Sequence, residues 1–206
     1  MVRNFLTNRH KRYWQKRKID WEQAYFMDHP HRDLIVKALK NISFGSILEI
    51  GCASGYNLFK IRENFPRIQI GGIDISEDAI KKAKELIPDA DVLEVSSADN
   101  LFLSDKSADI LLTDMALIYL SPFDINKAIK ELKRVARNQI MLVEFHHKNW
   151  FKRQVLRLLA GYNAYDYRKL LEKNGFYEIE IYKLTEADWP GGQPQKEYAC
   201  LITAKV

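Results

Sequence analysis

Two cysteines and six prolines in 206 residues is little of either, and each scarcity excludes something. Cys52 and Cys200 lie far apart in unlike surroundings, which gives neither a disulfide framework nor the paired spacing of a zinc site. Structural or incidental roles suit both. The nine glycines are too scattered to build a linker or a low-complexity tract, and no internal repeat is visible. No apolar run approaches the roughly 20 residues of a membrane span, and the first residues are basic without the apolar stretch of a secretory signal. A cytoplasmic protein is expected. No ligand cluster suggests a metal site.

What is present is a chain 47% hydrophobic and 29% charged, enough for one full core and too short for two ordinary domains. The net charge of +5 is unevenly spread. Arg3, Arg9, Lys11, Arg12, Lys16, Arg17 and Lys18 all precede the first acid, Asp20. Such a run suits an arm for phosphates or anionic lipid, and equally a solvated helix face.

The residues near 11–28 and 30–41 read as two helices divided at His29-Pro30, an N-terminal cap within residues 1–44. From residue 45 to 206 strands alternate with helices. Ser46 to Ile50 is a short apolar run suited to a strand buried on both faces. A helix follows over 56–64, then a strand from Ile68 to Asp74. Ser76, Glu77 and Asp78 supply the N-cap and acidic first turn of the next helix. Further strands are expected over 91–95, 109–113 and 139–145, with a helix over 125–135 and a long helical region from Trp150 to Asn174. Two last strands, 177–184 and 197–204, flank a turn-rich segment at Trp189 to Pro194. The pattern predicts an α/β, doubly wound, mainly parallel seven-stranded sheet with helices on both faces, an antiparallel terminal strand and the helical cap.

In such a sheet the ligand crevice lies beyond the carboxyl ends of the strands, where strand order reverses. At the first strand's exit the sequence reads ILEIGCASGYNL, where Gly51 and Gly55 let the backbone turn and approach a ligand. Asp74 ends the second strand about 20 residues on, where a carboxylate accepts both hydroxyl protons of a ribose. The two markers imply a nucleoside-containing cofactor. A pyrophosphate is poorly served, because Ala53 and Tyr56 stand where a dinucleotide fingerprint needs glycines.

Glu49 to Gly55, EIGCASG, resembles the ExGxGxG motif of class I, Rossmann-like S-adenosylmethionine-dependent methyltransferases, with Ala53 in place of the middle glycine. Asp74 in GGIDIS matches that family's ribose-binding acid, and LFLSDKSADILLTDMAL resembles its LPFxDxSFDxVxxxxxL stretch. The resemblance covers roughly residues 45–145. It implies S-adenosyl-L-methionine as cofactor. Glu49 would orient the loop or the methionine end, and Gly51, Cys52, Ala53 and Gly55 would pack against the cofactor. Asp74, with Ile75 beside it, would hold the ribose, Ala98 and Asp99 would edge the adenine, and Asp114 would lie near the methionine. The sequence departs from the family in having Ser97 where an acid commonly precedes the alanine of the adenine loop.

For the chemistry itself, His146 and His147 at the fifth strand's exit and His29 and His31 in the cap are base candidates, since a base helps when the acceptor is an alcohol or ammonium. Tyr25, Trp21 and Phe26 are candidates for an aromatic lid, Tyr25 also for catalysis. TDMA follows the fourth strand where amino-methylating nucleic-acid enzymes carry NPPY or DPPY. Three readings stand: a methyltransferase for a small-molecule acceptor such as a sugar, lipid-linked compound or secondary metabolite; a nucleic-acid methyltransferase gripping phosphates with the basic arm; and a non-catalytic binding subunit.

Overall fold

The computed structural model describes residues 11–21 and 29–206. Tyr25, Phe26, Arg3 and Arg9 lie outside them. Seven strands form a single sheet: β1 (Ser46–Ile50), β2 (Gln69–Asp74), β3 (Val92–Val95), β4 (Ala108–Asp114), β5 (Ala136–Phe145), β6 (Tyr177–Lys183) and β7 (Ala199–Lys205). Their order is β3-β2-β1-β4-β5-β7-β6. The pairs among β1 to β5 are parallel, and β7 runs antiparallel to both its neighbours, β5 and β6. The expected doubly wound sheet with its antiparallel terminal strand is therefore present. Strand order reverses between β1 and β4, which places the crevice at the exits of those two strands.

The helices are α1 (Pro30–Leu39), α2 (Tyr56–Asn64), α3 (Glu77–Leu86), α4 (Ile125–Val135), α5 (Trp150–Ala160), α6 (Tyr167–Lys173) and the short α7 (Gln195–Tyr198). A further helical stretch covers residues 11–16. Alternation along the central strands divides the core. Ile47 of β1, Ile110 and Leu112 of β4 and Met141 and Val143 of β5 pack with Ile35 and Leu39 of α1 and Leu58 and Ile61 of α2. Leu48, Ile50, Leu111, Ile140 and Leu142 face the other way, against Ile129 and Leu132 of α4 and Leu171 of α6. Burying each such Leu or Ile is worth about 1.5–3 kcal/mol.

The long helical region expected from Trp150 to Asn174 is two helices. Gly161 takes φ +72° and caps α5, and the chain then runs extended so that His147 N donates to Tyr165 O (3.1 Å) and Tyr165 N to Phe145 O (3.0 Å). Asp166 opens α6 as its N-cap. The interruption carries Tyr162 to the crevice. At the other junction, His29 caps α1, with Pro30 at its first position and the ring accepting from His31 N at 3.4 Å.

Candidate active site

Where β1 ends, Gly51 takes φ +80°, and a side chain there would overlap the Cβ of Ala116 beyond β4. Gly51 N and Cys52 N both donate to Ile73 O, at 2.6 and 3.0 Å, folding the loop back over β2. Ala53 follows at φ +48°. Its amide donates to Asp74 Oδ2 (3.0 Å), while Ser76 N donates to Asp74 Oδ1 (2.9 Å). Burial raises the Asp74 carboxyl above its ordinary value, with the amides of Ser76, Ala53 and Ile75 opposing the shift. Each of its oxygens keeps a lone pair for a further donor.

The exit of β4 is held by Glu144 of β5, a fully buried carboxylate. It accepts from Thr113 Oγ1 (2.8 Å) and from the amides of Ala116 (3.1 Å), Leu117 (2.9 Å) and Ile118 (3.2 Å). This clasp fixes Met115, at φ +50°, and with it the direction of Asp114. Asn57 of α2 bridges two buried acids, donating through Nδ2 to Glu49 Oε1 (2.7 Å) and Asp114 Oδ2 (2.9 Å), and Arg32 Nε donates to Asn57 Oδ1 (3.0 Å). Burial pushes Glu49 up to about 8. Burial would also raise Asp114, but His31, then Asn57 and Arg32, hold it below the usual carboxylate range.

The cap supplies the histidines. His31 Nε2 lies 2.7 Å from Asp114 Oδ2, and its ring stacks on Trp189 with centroids 4.2 Å apart. His29 meets His31 through their Nδ1 atoms and lies 4.7 Å from the same indole. Burial, then the nearby His31 and Arg32, lowers His29 to about 4, so it is neutral at neutral pH.

These groups border a cavity of about 330 Å³, within the range of small-ligand sites. From the β1, β2 and β3 exits come Gly51, Ala53, Asp74, Ile75 and Ser96 to Ala98; Asp114 and Met115 lie at the β4 exit; Trp14, His29, His31, Tyr119, Phe145, Tyr162 and Trp189 form an aromatic half. Glu49 and Cys52 border a small adjoining space of about 30 Å³ shared with Gly51, Ala53 and Asp114. Gly55 borders neither; it packs on Ala83 and Ile87. Asp99 is engaged by Lys11 Nζ at 2.6 and 2.8 Å and does not itself border the cavity. Neither His146 nor His147 borders the cavity: His146 Nδ1 accepts from Tyr167 N (3.1 Å), and His147 Nδ1 accepts from Asn149 N (2.9 Å). Trp21 of the proposed lid lines the cavity. Sequence reasoning had no hold on Arg32, Asn57 and Trp189, whose part in the site depends on tertiary contact alone. Among the described residues no three His, Cys, Asp or Glu side chains form a metal-binding group.

Two carboxylate oxygens at the site, Glu49 Oε2 and Asp114 Oδ1, are buried without a hydrogen-bond partner. Orphaned acceptors beside a glycine turn, with a ribose-type acid a strand away, fit a cofactor that carries both an ammonium and a ribose.

The methyltransferase-domain family matches residues 47–139. Trans-aconitate 2-methyltransferase of Afipia carboxidovorans is 29% identical over 85 residues, 38% of this chain and 33% of that protein. Carboxy-S-adenosyl-L-methionine synthase 1 of Yersinia pseudotuberculosis is 23% identical over 141 residues, 65% of this chain and 57% of that protein. The matches thus span a third to somewhat over half of these relatives. In fold, the chain is similar to an S-adenosylmethionine-dependent methyltransferase from Thermotoga maritima, with TM-score 0.66 and 17% identity over 95% of this chain and 97% of that one. Motif, fold and family match agree: residues 47–139 are a methyltransferase domain, set in the Rossmann-like fold that the chain shares with S-adenosylmethionine-dependent methyltransferases.

Proposed function

We propose that the protein transfers a methyl group from S-adenosylmethionine to a small acceptor that has a flat apolar face and a protic hydroxyl or amine. The observation that carries this reading is one cavity whose two halves differ: glycine turn, Asp74 and Ala98 on one side, an aromatic wall with two histidines on the other. Asp74 takes the ribose, and the orphaned oxygens of Glu49 and Asp114 take the ammonium. The bound cofactor supplies an electrophilic methyl on a sulfonium. The chain then has to place the acceptor in line, exclude water and receive a proton.

The His29–His31 pair suits the last task. The two rings face each other through their Nδ1 atoms, and His31 Nε2 lies 2.7 Å from Asp114 Oδ2, so a proton taken up by the pair has the Asp114 carboxylate beside it. His29, half-buried on the cavity wall, is the point of entry, and Trp189 fixes both rings. Asp114 thereby serves the cofactor through one oxygen and the base through the other.

Lys11 and Trp14, the part of the basic run nearest the site, face the cavity and Asp99, which favours a cap over a small acceptor rather than an outward arm for RNA. The test is release of S-adenosylhomocysteine with a panel of small phenols, amines, sugars and carboxylic acids, and with RNA. A small protic acceptor is expected to turn over, and His31→Asn to slow it by about 100-fold at saturating cofactor. Turnover with RNA alone, or full turnover in His31→Asn, would contradict the proposal.

A further inference from the structure

Helix α5 presents its apolar side to water. Of its eleven residues, WFKRQVLRLLA, Leu156 is the buried one. Trp150, Phe151, Leu158 and Leu159 are 65%, 69%, 82% and 84% exposed. At about 100° per residue these four fall on one half of the helix, with Val155 and a single polar residue, Gln154, between them. Single exposed apolar side chains are ordinary, whereas a contiguous group on one element marks a surface that meets something.

Charge tells what it meets. Residues 146–160 contain Lys148, Lys152, Arg153 and Arg157 and no acid. By the same helical geometry Arg157 borders the apolar side next to Trp150, and Lys152 borders it next to Leu159. Long cationic side chains flanking Trp, Phe and Leu are the arrangement of helices that lie in a bilayer interface, apolar side down and cations at the phosphates. Lys152 Nζ is paired with Glu197 at 2.6 Å; Lys148 and Arg157 are exposed. A two-fold contact between copies through this helix would bring the cations of one copy against those of the other, because an isologous interface pairs each patch with itself.

We infer that α5 is a docking surface for an anionic lipid bilayer, with Trp150, Phe151, Leu158 and Leu159 entering the interface and Lys148 and Arg157 meeting lipid phosphates. The helix ends at Gly161, and the next residue, Tyr162, lies on the aromatic wall of the cavity. Docking therefore brings the acceptor half of the site to the membrane face. The inference is independent of the proposed chemistry, since lipid binding is read without turnover.

The test is co-sedimentation of the full chain with vesicles of phosphatidylcholine alone and of phosphatidylcholine mixed with phosphatidylglycerol. Binding is expected to the anionic vesicles only and to weaken with salt. The double variant Leu158→Ser, Leu159→Ser alters two exposed positions and should retain the wild-type melting temperature while losing about tenfold or more in vesicle affinity. The pair Lys148→Ala, Arg157→Ala should weaken binding and reduce its salt dependence. No binding of wild type to anionic vesicles overturns the inference, as does undiminished binding by the folded leucine variant. A wild-type dimer that the leucine variant turns into a monomer, without vesicle binding, overturns it in favour of a contact between copies.

Discussion

Ala53 occupies a backbone position that suits glycine. Its φ of +48° lies in the left-handed region, where a Cβ costs about 1 kcal/mol or more, and it stands at the middle glycine of the motif. Ala53→Gly is expected to raise unfolding free energy by about 1 kcal/mol in urea denaturation; a fall would show that the side chain's packing outweighs the strain. Gly51 behaves oppositely. Gly51→Ala would press on Ala116 at a positive φ, so both stability and cofactor affinity should drop. Glu49 gives a pH signature. Its carboxyl is lifted to about 8 from an ordinary 4.5, chiefly by burial, so the folded state holds the proton more tightly than the unfolded chain. The stability this group contributes is present below about pH 4.5 and is lost as pH rises towards 8. Glu49→Gln should flatten the decline of melting temperature between pH 5 and 8; an identical pH profile in wild type and variant would contradict the assignment.

Among the elements, the clasp between β5 and the β4 exit bears most directly on the site. Glu144→Ala removes the acceptor for three backbone amides and the Thr113 hydroxyl. Leaving buried donors unsatisfied costs about 1–3 kcal/mol each before water enters, so a loss of about 3 kcal/mol or more is expected in chemical denaturation, together with weaker cofactor binding. A stable variant with normal binding would show that the Met115 turn holds itself. The strands were readable in the sequence because a buried parallel strand is a short apolar run with its marker at the exit, as Ser46 to Ile50 before Gly51 and Gln69 to Ile73 before Asp74 show. The break between α5 and α6 was not, since 150–174 is compatible with a helix throughout apart from Gly161, and the extended pairing of Tyr165 with Phe145 and His147 is a tertiary event. The clasp was equally hidden. Glu144 sits beside two histidines that drew attention as bases, while its own partners lie in a loop about thirty residues earlier.

For the whole molecule, the cavity is assembled from both ends of the chain. The half we assign to the cofactor comes from contiguous motifs, so Gly51, Ala53, Asp74, Ile75, Ala98 and Asp114 were nameable from spacing and now border one space. The half we assign to the acceptor joins Trp14, His29 and His31 from the cap to Trp189 from the connection between β6 and β7, and no local pattern links residues so far apart. His29 was nameable only as one of several histidines; its pairing with His31, and through it with Asp114, is a product of folding. The proposed function requires that this cavity bind S-adenosylmethionine with Asp74 at the ribose. Calorimetric titration of S-adenosylmethionine and S-adenosylhomocysteine into wild type and Asp74→Ala, with NAD as control, tests it most directly. One site is expected in wild type, about 10-fold to 100-fold weaker binding in a folded Asp74→Ala, and none for NAD. Absence of binding to wild type, or equal affinity in the Asp74→Ala variant, would contradict it.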